Sequence, residues 1–125
     1  MILVVRVVLG SIALFFFAWG LRFVFMPDTM GAEFFVAPVG TGGLSTIRGD
    51  LGGTFLATSV FIALGLRPRA TLWLHAAAIV LGLIAAGRAV GLVVDGVTES
   101  ALAAFVVEIV FATLLLIGAR RLAHA

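Results

Sequence analysis

Four apolar stretches, each about as long as a bilayer is thick, dominate this chain: Ile2–Phe25, Thr46–Leu66, Ala70–Val94 and Glu99–Ala119. The hydrocarbon core is roughly 30 Å across and a helix rises about 1.5 Å per residue, so about 20 apolar residues suffice to cross it. No water reaches unpaired backbone groups there, which leaves helices and closed barrels as the spanning solutions. A barrel needs strands of about 10 residues that alternate polar and apolar. Val80–Ala86 and Ala112–Ile117 show no alternation. The expected fold is all-α: a polytopic membrane protein, an up-and-down bundle of four transmembrane helices forming one domain over residues 1–125.

Breakers separate the stretches. Residues 26–45, read as an exterior loop, hold Pro27, Pro38 and the glycines Gly40, Gly42 and Gly43. Arg67–Pro68–Arg69 reads as a tight turn, and Asp95–Gly96 precedes Thr98, a hydroxyl suited to cap the fourth helix. Short connections make consecutive helices antiparallel neighbours. Glu33–Phe34–Phe35–Val36 is too apolar for water. It either anchors in the membrane interface or folds back over the bundle as a lid. Ile2–Phe25 is longer than a signal-peptide core, with Arg6 its only early charge and no clear cleavage site, so it reads as an uncleaved span.

Of the 125 residues, 63% are hydrophobic and 11% charged, against about 25% charged in soluble domains. A water-soluble single-domain enzyme and a disordered chain are thereby excluded. All eight basic residues are arginines, scattered without a run that would grip nucleic acid. The absence of cysteine excludes disulfides, thiolate chemistry and iron–sulfur ligation. Arg6, Arg67, Arg69, Arg120 and Arg121 fall on one side of the predicted spans. Arg22 and Arg48 fall toward the other, with Asp28, Glu33, Asp95 and Glu99. Positive charge concentrates on the cytoplasmic side. Both termini are therefore expected in the cytoplasm, and a bacterial inner (plasma) membrane is the expected location.

The remaining charges fall where lipid makes them expensive. A charged group in the bilayer must be paired, hydrated or able to snorkel. Counted from the middle of the second stretch, Asp50 and Arg48 lie about 10–14 Å toward the exterior; Arg88 lies about 9 Å and Arg22 about 12 Å toward the same side. Glu108 lies near the midplane of the fourth stretch. Inward-facing, these five would meet. Arg88, Gly91 and Asp95 share a helical face, as do Asp50 and Thr54. One reading is an ion-pair network that locks the helices, with Arg88 on Glu108 or Asp50. The other is a polar pocket in the exterior half, where three arginines and two acids await an anion that matches the planar guanidinium. Snorkelling to headgroups is a further role for Arg22 and Arg48.

Gly49 and Gly53, and Gly87 and Gly91, are spaced as close-packing pairs, serving packing within the chain or contact between copies. His75 and His124 lack companion ligands, so no metal site or cofactor is expected. Arg48–Gly49–Asp50 spells an adhesion tripeptide, but at a span entrance. Gly40–Thr41–Gly42–Gly43 lacks the Lys-Ser/Thr of a phosphate loop.

Gly20–Leu21–Arg22, Arg48–Gly49–Asp50–Leu51–Gly52–Gly53, Gly87–Arg88–Ala89–Val90–Gly91, Asp95–Gly96 and Glu108 together resemble the DUF4345 family of small bacterial four-helix membrane proteins, itself similar in layout to DoxX-like proteins. The resemblance covers nearly the whole chain. It implies fold and location and no reaction, and it carries over Arg22, Arg48, Gly52, Gly53, Gly87, Arg88, Gly91, Asp95, Gly96 and Glu108. Three functions stay open. One is a binding or accessory protein for an anionic lipid, amphiphile or protein partner. Another is a transporter or channel subunit working as a homo-oligomer or in a larger complex. The last is an intramembrane enzyme using Glu108 or Asp50 as acid/base. No nucleophile or metal set supports the last, and a monomeric pore finds few polar groups beyond Thr58, Ser59, His75 and Thr113.

Overall fold

A computed structural model describes residues 1–125. It is all-helical, without a strand. Helix α1 runs over Ile2–Phe25 and a short α2 over Pro27–Glu33. Helix α3 covers Gly40–Gly65, α4 Leu72–Val94 and α5 Glu99–Ala123. The four long helices are apolar enough to cross a membrane. This is a multi-pass membrane protein of the four-helix-bundle class.

Four bounds differ from those the sequence suggests, one of them only by the single residue that ends α3 at Gly65 rather than Leu66. Helix α3 begins at Gly40 rather than Thr46, α4 at Leu72 rather than Ala70, and α5 runs four residues past Ala119. The glycines at 40, 42 and 43 open a helix instead of breaking one. Glycine weakens a helix in water partly because solvent competes for its exposed backbone, and that competition fades near a bilayer. The expected loop 26–45 therefore shrinks to the non-helical Phe34–Val39. The chain gathers into two compact units.

The first unit is Ser11–Val60. Its centre is Phe23, Met30 and Ile47, with Trp19, Phe34, Leu51 and Phe55 packed around them. The Phe23 ring stands 5.0 Å from both Phe34 and Phe55, in tilted and edge-on arrangements that aromatic quadrupoles favour. Helix α2 ends in a double hydrogen bond: Val36 N–H donates to Gly31 O at 2.7 Å and Phe35 N–H to Ala32 O at 3.2 Å. That is the Schellman closure, whose left-handed position usually belongs to glycine. Here it is Phe35, at φ +59°, a conformation costing a side-chain-bearing residue roughly 1–2 kcal/mol. Gly31 makes the closure possible, since a Cβ there would lie 2.6 Å from Val36 O.

The second unit joins Met1–Gly10 to Phe61–Ala125. Helix α4 buries Leu74, Ala77, Ala78, Leu81 and Ala85, one face at three-and-four spacing. Helix α5 buries Ala112, Leu115, Gly118 and Ala119 in the same rhythm. Ile79, Leu83, Val90 and Val93 stay exposed, as a lipid-facing surface requires. The Arg67–Pro68–Arg69 turn forms as expected, closed by Ala70 N–H donating to Arg67 O. Arg6 donates to Leu66 O at 2.8 Å beside it. Thr98 caps α5, its hydroxyl accepting from Ala101 N–H at 3.2 Å. Thr98→Ala should cost about 1 kcal/mol and speed amide exchange at Ala101.

Candidate functional site

The charges at membrane depth fall into two local arrangements. In the second unit, α4 places Arg88 six residues before its end and α5 places Glu108 nine residues after its start. Antiparallel packing brings the two level. Arg88 Nε donates to Glu108 Oε1 at 2.7 Å. The Glu108 side chain is 14% exposed and that of Arg88 35%. The pairing is single-stranded. Both terminal nitrogens of the guanidinium lack a partner within the chain, and Glu108 Oε2 is buried without a hydrogen bond. A fork-to-fork pair would have used two donors and both oxygens. Gly91 and Asp95 follow Arg88 on its face, with Asp95 Oδ2 3.7 Å from where a Gly91 Cβ would stand.

In the first unit, Arg22 near the end of α1 bonds Glu33 Oε1 at 2.8 Å and stacks over the Trp19 ring at 4.8 Å. Spacing within one helix predicts the Arg22–Trp19 contact. Only the fold-back of α2 supplies Glu33, which the sequence marks merely as an exterior acid. Arg48 donates to Val24 O. That carbonyl lies in the last turn of α1, where the helix supplies no partner. A cation there also opposes the negative end of the helix dipole.

Residues Ile47–Gly52 form a turn of π-helix inside α3. Insertions of this kind are frequent at functional positions. The turn carries Arg48, Gly49 and Asp50, and the hydroxyl of Thr54 returns a 2.5 Å hydrogen bond to Asp50 O. The Asp50 carboxylate is exposed and makes no hydrogen bond or ion pair within the chain. Because α3 starts early, Asp50 sits about 4 Å from the middle of that helix, deeper than the sequence places it.

Two sequence readings are redirected. A methyl at Gly49, Gly53 or Gly87 would meet open space, so these glycines make no close contact inside the chain. The tight approaches fall instead at Gly20 against Leu56, Gly52 against Val24, Gly65 against Leu74 and Gly118 against Leu9. The polar residues elsewhere in the spans satisfy themselves on backbone. Thr58 donates to Thr54 O, Ser59 to Ala13 O and Thr113 to Ile109 O, while His75 Nδ1 meets Thr71 O. No three His, Asp or Glu side chains gather into a metal-holding group.

No family model matches the chain, and no curated protein or solved structure is significantly similar to it.

Proposed function

We propose that the chain is a small membrane accessory protein that holds an anionic lipid headgroup or amphiphile through arginines set within its spans. One observation carries this reading: the Arg88–Glu108 pair is incomplete on both sides. Two guanidinium nitrogens remain to be spent, and one buried carboxylate oxygen lacks a donor. A ligand with an anionic oxygen and a neighbouring hydroxyl or ammonium donor would complete both. Phosphoglycerol and phosphoethanolamine headgroups have that chemistry. Arg22 and Arg48, whose long stems can carry their charge outward, are proposed as separate headgroup contacts on their own unit, with Asp50, Thr54, Gly52 and Gly53 as deeper support within α3. Gly87, Gly91 and Asp95 support Arg88 on its helix.

The same reading keeps the chain as one four-span domain of the DUF4345 type, related in layout to DoxX-like proteins. It lies in a bacterial inner membrane with both termini in the cytoplasm, on the strength of the arginine distribution.

The test is native mass spectrometry of protein extracted with its lipids, beside binding to nanodiscs containing phosphatidylglycerol. The variant is Arg88→Gln with Glu108→Gln, which leaves no unpaired charge behind. Charge-assisted hydrogen bonds contribute about 1.5–3 kcal/mol, so anionic lipid retention should fall at least about tenfold while the variant stays folded. Equal retention by a folded variant would reduce the pair to a structural clasp. A lipid-free oligomer would favour a channel or transporter subunit instead.

A further inference from the structure

The segment Phe34–Val39 turns one aromatic ring inward and the next outward. Phe34 packs on Trp19, Phe23 and Phe55. Phe35 is 80% exposed and Val39 88%. Backbone strain makes this placement informative. Phe35 holds the left-handed position of the α2 closure at φ +59°, where glycine would sit without penalty. A bulky side chain that strains its backbone and finds no surface of its own unit to cover has its partner outside the chain.

The helices on either side fix where that partner lies. Segment 34–39 leads directly into α3, 26 residues long, hence roughly 39 Å, against a hydrocarbon core of roughly 30 Å and a full bilayer of about 40–45 Å. The start of α3 at Gly40 therefore reaches the headgroup layer, and residues 35–39 lie at that level. Phe25 and Met26, at the end of α1, are exposed too, so the lipid-facing surface of α1 leads into the same zone. Beside Phe35, an open recess of about 400 Å³ continues the apolar surface over Ala32, Val36, Ala37 and Pro38, with Asp28 its one charged wall.

We infer that Phe35, Val36 and Val39 form an interfacial anchor, inserted among lipid acyl chains just below the headgroups. This contact is apolar. It rests on neither the Arg88–Glu108 pair nor the charge of the lipid.

The chain has no cysteine, so Phe35→Cys or Val39→Cys gives one unique position for a nitroxide label. In nanodiscs of uncharged phosphatidylcholine, labels at 35 and 39 should be relaxed more by oxygen than by a water-soluble nickel chelate. A label at Ala125→Cys should show the reverse. Phe35→Gly, which relieves the left-handed backbone, should move a label at 39 toward water. Nickel-dominated relaxation at both positions places the segment in water and overturns the assignment. Labels immobile and shielded from both reagents reveal a protein contact and overturn it as well. So does a label at 39 that Phe35→Gly leaves unmoved.

Discussion

Arg88→Leu alone should lower folding stability in detergent by about 3 kcal/mol, and Glu108→Leu alone by a similar amount. Each leaves one ion of a helix-to-helix pair without its counter-charge. For Arg88→Leu the stranded group is a carboxylate that is 14% exposed and already has one unbonded oxygen. Removing Glu108 strands an arginine with 35% exposure, and its long stem can carry the charge toward headgroups. The arginine deletion should therefore be the harsher. Arg88→Leu with Glu108→Leu removes both charges and should recover most of the loss, because an apolar pair of similar volume often replaces an ion pair at little cost. Denaturant titration of the four proteins gives the coupling energy directly. A double variant as unstable as the worse single one would show that the pair does not act as a unit.

Gly65→Val should be the most damaging of the glycine substitutions, at about 2–3 kcal/mol. A Cβ at Gly65 would stand 2.5 Å from Leu74 Cγ and 3.0 Å from the Leu74 backbone nitrogen. The side-chain atom is a branch point and the other is main chain, so neither swings aside. Helix α4 would have to move bodily away from the end of α3. Gly82→Ala offers the contrast, since nothing lies within 4 Å of its Cβ. That exchange should leave the melting temperature within about 0.5 kcal/mol of the parent in equivalent stability. Thermal melts of both variants in one detergent decide between close approach and a general intolerance of side chains.

The spans were legible because the bilayer imposes a length and a polarity that few other environments demand. The Thr98 cap was legible too, since it depends on residues three apart. An ion pair on Arg88 was legible as well, with Glu108 and Asp50 both open as its partner, because short connections force antiparallel neighbours and leave few choices for an arginine within a span. What escaped the sequence depends on contacts between distant residues or on backbone choices that composition opposes. Glu33 reaches Arg22 only after α2 folds back. Arg48 finds Val24 O twenty-four residues away. Gly40, Gly42 and Gly43 punctuate chains in water, yet here they begin a helix. The spacing of Gly49 with Gly53 named a packing motif on a face that packs against nothing in the chain, whereas the close contacts fall at glycines without such spacing. Periodicity reports which residues share a face but not which face is covered.

The wide turn at Ile47–Gly52 sets the angular phase of α3. One residue beyond the α-helical count rotates everything before it by about 100° relative to everything after. Arg48 and the opening residues of α3 therefore meet α1 at an azimuth that an unbroken α-helix would not give them. Regular α-helical winding of the same six residues would swing that end of the helix round by about a quarter-turn, whereas the wide turn absorbs the extra residue and holds the azimuth. In this stretch the number of residues is as much a part of the encoded message as their identity.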